Sequence, residues 1–409
     1  MQLFKLSWRN IWRNRRRALI TIASIFFAVF FCTLMFSFQN GVWEKMIDNT
    51  LRTQSGHIQI HGKGYWNDRS IDNFMTLSDT IIASLETIPN VSNVSPRIET
   101  FAMASYGMLS RGISVIGISP KREAEKSNLP IRLVQGEYLS EADDGVLVGE
   151  GLCRYLRVGL GDTLAFLGQG WRGSTAVGLY PIRGILRFPL TGMDNGLAYM
   201  SIPAAQEFID MPNGYSGILI ALQNDRRLNQ TIEEVKAKLD TPTSKLSDFE
   251  VLSWHYTMKD LLRSAEADKA FSKVILFILY LIVGFGILGT VIMMTNERKR
   301  EFAILISLGM KRGLLQLVFT IELLLMALCG VLASLVLTIP FVWWFHTHPI
   351  QLTGNMAKMY ADYGMEPVMP MSADPAIFWT QIVIIFVMAC ITLIYPYYVI
   401  RKLKITAKE

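Results

Sequence analysis

Four stretches of this chain are apolar for long enough to cross a bilayer, and a fifth conspicuous one is not. Residues 18–38 and 274–295 carry no formal charge over 21 and 22 positions. Residues 313–345 carry one, Glu322, with 23 uncharged residues after it, and 376–400 add 25 more. At 1.5 Å per helical residue, about 20 residues cover the roughly 30 Å of hydrocarbon, so each predicts a transmembrane helix. The fifth stretch, Phe302 to Met310, has nine residues, apolar apart from Ser307 and Gly309, with charges crowding both flanks. A helix that short reaches only about 13 Å. It neither spans nor has an obvious core to join.

Between the first two spans the pattern changes to that of a globular domain of roughly 235 residues. "GHIQIHG" (Gly56–Gly62) alternates like a strand, and Ser78–Ile88 offers an N-cap serine followed by apolar residues at helical spacing. "TFAMASYGMLSRGISVIGIS" reads as strands, and "GEGLCRYLRVGLGDTLAFL" as a short helix, a glycine-rich turn and a strand. "DRRLNQTIEEVKAKL" predicts an amphipathic helix and Phe249–Ser253 a strand. From about Thr257 a polar helix runs without a breaker into the second span. At the N-terminus, Phe4, Trp8, Ile11 and Trp12 share one helical face, which predicts an interfacial helix with cations at anionic lipid. The expected fold is therefore an α-helical membrane protein with four transmembrane helices and a large α+β domain outside the bilayer.

Charge orients this arrangement. Lys5, Arg9, Arg13, Arg15, Arg16 and Arg17 precede the first span, and Arg298, Lys299, Arg300, Lys311 and Arg312 follow the second. Arg401, Lys402, Lys404 and Lys408 follow the fourth, whereas the loop between the third and fourth has a single Lys358. Lysine and arginine are retained on the cytoplasmic side, so both termini and the short charged loop are expected there, and the large domain on the exported side. The whole chain sums to +6, less than these segments supply together, so no basic surface is left for nucleic acid. A 51% share of hydrophobic residues and a mean hydropathy of +0.30 agree with a membrane protein. The first span exceeds a signal peptide's apolar core and no A-x-A site follows it, so it is expected to stay as an anchor. Of the four cysteines only Cys153 falls in the exported part, which excludes an internal disulfide there.

No catalytic constellation emerges. "GHIQIHGKG" resembles a P-loop, but its glycines are one residue too far apart and Gly64 stands where a magnesium-holding Ser or Thr is needed. His57 and His61 share a strand face without a third metal ligand. No cofactor is expected on this chain.

The charged short segment carries a family resemblance. Glu297, Arg298, Arg300, Glu301, Ile304, Leu305, Leu308 and Gly309 resemble the "ER-x-RE-x-x-IL-x-x-LG" signature of FtsX-like permeases, membrane subunits of type VII ABC systems. Trp8-Arg9-Asn10, Trp12-Arg13-Asn14 and Arg17 are similar to the family's start of span one, and Tyr395-Pro396 to its end of span four, where Tyr397-Tyr398 depart from the usual small-then-basic pair. The resemblance implies that residues 296–312 contact a separate ABC ATPase, which binds ATP and magnesium, and that the permease pairs with a second copy or a paralogue. Within the exported part, "SGHIQIHGKGYW", "VSNVSPRI" and "GMDNGLAYMSIPAAQEFI" look most like the Lol lipoprotein-releasing branch. That branch implies a porter-like core, about 41–118 plus 216–270, interrupted by an inserted subdomain at about 119–215. The full expected order is cytoplasmic segment 1–17, span 18–38, periplasmic domain 39–273, span 274–295, coupling loop 296–312, span 313–345, periplasmic loop 346–375, span 376–400 and cytoplasmic tail 401–409. The implied activity is ATP-driven extraction of lipoproteins from the membrane towards a periplasmic carrier. MacB-like efflux of drugs, peptides or toxins, and FtsX-like activation of a cell-wall hydrolase, share the architecture.

Three further residues are candidates. Glu322 matches the family's acidic residue in span three; an intramembrane carboxylate marks either a functional site or a bond to a neighbouring helix. Trp171 and Tyr180 lie in "GQGWRGSTAVGLYPIRGI", where a Lol permease can carry a carrier-docking hairpin, and either is a candidate anchor.

Overall fold

A computed structural model describes residues 2–13, 15–51, 55–127, 129–188, 191–240, 245–362 and 368–402. Asn14, Lys404 and Lys408 lie outside the described residues. The chain divides into two compact units, one of residues 1–45, 264–351 and 368–409, the other of 46–263 and 352–367.

The first unit is helical. Among the described residues four helices are long and apolar enough to cross a membrane, within Ala18–Thr50, Lys259–Glu297, Arg312–Thr347 and Pro375–Lys402. Two overrun their apolar stretches: the first helix continues from Arg15 to Thr50, and the second begins at Lys259. The second extension holds no Gly or Pro and the first holds Gly41 alone, whose cost of about 1 kcal/mol a long helix tolerates, so nothing stops either helix where the hydrophobicity ends. The helices pack through small residues. A Cβ added to Gly330 would sit 2.9 Å from Cβ of Ile25, so only glycine permits that approach. Gly284 faces Met388, whereas Gly286 and Gly289 have open space and serve no such contact. Polar side chains join the same helices: Trp43 donates to Asp268 at 2.8 Å, Gln39 reaches Asp268 at 2.9 Å, and Ser37 donates to the Ser372 carbonyl at 2.6 Å.

The second unit is built on a ten-stranded sheet. Its strands are β1 (Ile58–Gly62), β2 (Val91–Tyr106), β3 (Leu109–Ile118), β4 (Leu133–Gly136), β5 (Val146–Gly149), β6 (Thr163–Gln169), β7 (Thr175–Leu186), β8 (Leu197–Ser201), β9 (Gly217–Leu222) and β10 (Phe249–Ser253). The order is β10-β1-β9-β2-β3-β8-β5-β7-β4. β6 pairs with both β2 and β7, which closes β2, β3, β8, β5, β7 and β6 into a ring. Two of its seams, β3–β8 and β5–β7, are parallel. Inward-facing Ala102, Ala104, Ile113, Val115, Leu164, Phe166, Ala198 and Met200 fill the ring and extend a single large core with Ile58, Ile60 and Ile98. The residues expected as an inserted subdomain, 119–215, share this sheet with the core strands and add a second cluster around Leu129, Leu139, Leu147 and Leu186. Their strands β6 and β8 hydrogen-bond directly to β2 and β3, because β2 runs past the end of β9 and β3 is paired by β2 on one edge only, which leaves backbone groups that must be satisfied.

Candidate functional site

The short apolar stretch forms the helix Lys299–Ser307, beginning and ending three residues before the apolar run does. Arg298 separates it from the long second helix at φ −88° and ψ 1°. The C-terminal end is closed by Gly309 at φ +93°, with Met310 N–H donating to the Leu305 carbonyl and Gly309 N–H to that of Ile306, both at 3.0 Å. That pair of bonds needs a left-handed residue, which glycine adopts without a Cβ clash.

The resembling residues fall on two faces. Arg298, Phe302 and, half-buried, Leu305 turn inward, whereas Glu297, Arg300, Glu301, Ile304 and Leu308 are exposed. The spacing of three and four explains the split. Arg298 is therefore turned into the protein. Its Nη1 donates to Glu322 Oε2 at 2.6 Å, with side chains 6% and 1% exposed, and its Nη2 reaches the Asn10 carbonyl at 3.4 Å. Glu322 Oε1 is buried with no partner among the described residues. So the carboxylate in span three is neither solitary nor solvated: it holds the root of the short helix. Charges taken this far from water persist only when paired, and the guanidinium fork can serve two acceptors at once.

Further contacts fix the same root. Phe302 meets Phe319 edge-to-face, with ring centroids 6.1 Å apart. Glu301 accepts two bonds from Arg13 Nη2, at 2.7 and 2.9 Å, in an exposed pair. The helix Gln2–Arg13 supplies Asn10 and Arg13, and Ser7 of that helix donates to the Val318 carbonyl at 3.2 Å. Its expected face divides as a result: Ile11 is buried, while Phe4, Trp8 and Trp12 remain exposed. Near the end of the fourth span, Arg312 donates to the Arg401 carbonyl at 2.6 Å and Tyr395 to Asn296 at 3.3 Å. Projecting from this framework are Ile304, 59% exposed, and Leu308, 79% exposed. A fixed root with two bare apolar side chains and a charged flank is suited to binding a protein groove and passing its movement on. Sequence reading missed Asn10, Arg13 and Phe302 as parts of the root; the stripe Arg298–Phe302–Leu305 was the available signal.

The second group of candidates fares differently. β6 and β7 form a hairpin whose turn is tied down: Gly170 N–H donates to the Ser174 carbonyl at 2.7 Å, Trp171 N–H to that of Ile209 at 2.8 Å, and Arg172 N–H to Asp72 at 3.2 Å. Trp171 is covered on one side by the Arg172 guanidinium, 4.0 Å from its ring, and packs partly on the core. Tyr180 is buried against Phe166 and Phe208, and burial pushes its hydroxyl up to about 12. It is a core residue and offers no surface for docking. The exposed apolar residues of this hairpin point the other way: Leu167, Val177 and Leu179, beside Met103 and Phe101 of β2.

Among the described residues no three His, Cys, Asp or Glu side chains gather as metal ligands. His57 Nδ1 accepts from Leu222 N–H at 3.2 Å, and His61 is bonded at both ring nitrogens. Cys153 is buried and its thiol is pushed up to about 11 by burial, which makes it unreactive.

Residues 18–238 match the MacB-like periplasmic core domain, and residues 273–405 the FtsX-like permease C-terminal domain. The lipoprotein-releasing system transmembrane protein LolC of Xylella fastidiosa is 23% identical over 270 residues, covering 64% of this chain and 63% of that protein. The LolC protein of Neisseria meningitidis is 22% identical over 339 residues, 80% of this chain and 77% of that one. The pyoverdine export ATP-binding/permease protein PvdT of Pseudomonas entomophila is 22% identical over 357 residues, 83% of this chain and 52% of that one. The chain thus spans just under two thirds of the Xylella relative and about half of the Pseudomonas one.

Proposed function

This chain belongs to the FtsX-like permeases with a MacB-like periplasmic core domain, and on that footing we propose that it is the membrane subunit of a type VII ABC system. ATP would be hydrolysed by an associated ATPase that closes on the exposed face of Lys299–Ser307. The observation that carries this reading is the anchored root: Arg298 on Glu322 and Phe302 on Phe319, with Ile304 and Leu308 left bare. Force applied to those two side chains enters the third span through Glu322 and the N-terminal helix through Asn10 and Arg13. Both termini lie in the cytoplasm in this reading, and the sheet domain in the periplasm.

For the cargo we favour a lipoprotein, extracted from the outer leaflet of the inner membrane and passed to a periplasmic carrier. The LolC relatives support it. Efflux of a small amphipathic molecule is the second reading, supported by the PvdT relative, whose match covers more of this chain.

The test is a pull-down of the co-expressed ATPase by tagged permease, using Ile304→Asp and Leu308→Asp. A buried, unpartnered carboxylate costs several kcal/mol, enough to detach an ordinary interface. Both variants should fold and lose the ATPase. A well-folded Ile304→Asp/Leu308→Asp double variant that keeps it at full stoichiometry overturns the proposal. Copurified material separates the cargo readings: acylated protein supports release, and its absence with small-molecule-stimulated ATPase activity supports efflux.

A further inference from the structure

His61 sits on β1 with an oxygen at each ring nitrogen. Nδ1 lies 2.7 Å from the Ser216 carbonyl and Nε2 lies 2.9 Å from Gln59 Oε1. The Ser216 carbonyl can only accept. Gln59 is oriented by its other end, where Nε2 donates to the Ser55 carbonyl at 2.8 Å, so it presents oxygen to the ring. A neutral imidazole has one N–H and serves one of these two acceptors; an imidazolium serves both.

The surroundings divide over the charge. Burial holds the ring's pKa below the ordinary 6.5, and Arg69 adds to that, while the Ser216 carbonyl, Glu99 and Glu250 act in the opposite direction. Tyr65 stacks on the ring at 5.0 Å between centroids, and Arg69 lies 4.0 Å over the ring of Trp66. Arg97 is held by Glu123 at 2.7 Å and Glu99 at 3.9 Å, so its charge is largely spent. A cavity of about 230 Å³, lined by Ser55, Gln59, His61, Trp66, Arg69 and Thr257 among others, borders the imidazole and gives protons a way in.

We propose that His61 is a proton-operated latch on the segment that follows the first long helix. With the proton on, the chain Ser55–Gln59–His61–Ser216 is complete. With the proton off, Nδ1–H stays on Ser216 and the Gln59 amide turns to donate to Nε2. Its oxygen then faces the Ser55 carbonyl, acceptor against acceptor, and that peptide is released. Ser55 Oγ lies 3.1 Å from the Gly56 carbonyl and 3.3 Å from Sδ of Met258, the residue before the second long helix begins at Lys259. The latch therefore bears on Ser55 and its neighbour Met258, both within the sheet unit. This inference stands apart from the ABC reading and survives its failure.

The test uses the full chain in lipid nanodiscs with ¹³Cε1-labelled histidine, His61 being assigned among the five histidines by its loss in His61→Gln. Hydrogen exchange at Gly56 and His57, whose N–H groups bond to the Leu51 and Ile220 carbonyls, is followed over the same pH series. After correction for intrinsic pH dependence, exchange there should slow about fivefold as His61 takes up its proton, the worth of one hydrogen bond. Gln59→Glu should move the midpoint to higher pH, and Gln59→Leu should abolish the change in exchange. A ring that stays neutral down to pH 4, or one that titrates without altering exchange at Gly56 and His57, overturns the latch. So does an equal change in wild type and Gln59→Leu. Should Gln59→Leu fail to fold, the wild-type and Gln59→Glu profiles decide alone.

Discussion

Arg298 and Glu322, 24 residues apart, meet at 2.6 Å with both side chains almost wholly out of water. The pair joins the turn before the short helix to the third span. It converts a carboxylate in an apolar helix from an oddity into a fixed point.

Removing one partner leaves the other buried and unpaired, which costs about 3–5 kcal/mol. Arg298→Met and Glu322→Leu should each lower stability in graded denaturant by that order. The double variant should recover most of the loss, because no lone charge remains. Additive losses in the double-mutant cycle would mean that the pair does not form. By contrast, Arg13→Ala should cost at most about 1 kcal/mol, since its pair with Glu301 is exposed.

Gly309→Ala tests the end of the short helix. Nothing lies within 4 Å of the added methyl, so any effect comes from the backbone at φ +93°. A left-handed alanine costs about 1–2 kcal/mol. Overall stability should barely move, because a frayed end absorbs it, while ATPase capture in the pull-down should weaken several-fold.

Orientation can be read with an impermeant thiol reagent on intact spheroplasts. A cysteine replacing Lys63 should be labelled and one replacing Lys311 should not. Cys153 gives little background, being buried with its thiol pKa raised to about 11. Labelling at position 311 without lysis reverses the topology.

Acid should destabilise the sheet unit through His61. Burial lowers the ring's folded pKa below the unfolded 6.5, so within that window the unfolded chain binds more protons. Stability is fully present above about pH 7, falls as pH drops below 6.5, and levels off once the folded ring is protonated as well. Melting temperature followed from pH 8 to 4 should show this decline, and His61→Gln should flatten it.

Tyr180→Ala removes a ring packed between Phe166 and Phe208 and should cost about 3–5 kcal/mol. Leu179→Glu, one residue along on the outer face, should stay within about 0.5 kcal/mol. Both are read by denaturant unfolding of the full chain.

Sequence alone determined the parts of this protein that depend on local pattern. Runs of uncharged residues marked the four long helices, and alternation marked β1. The helical stripes of 297–309 were also visible, since period and polarity are properties of neighbouring residues. Tertiary structure decided which partners those residues have. Arg298 and Arg300 are two residues apart with the same chemistry; one is buried on Glu322 and the other is exposed, because Glu322 and Asn10 arrive from distant parts of the chain. Tyr180 and Leu179 both suit a strand, and only the closing of the β-ring by β6 decides that the tyrosine is inside. His61 reads as a strand residue in any local window. Its two oxygen neighbours come from Gln59 on its own strand and from Ser216, 155 residues later, and no local pattern records that meeting.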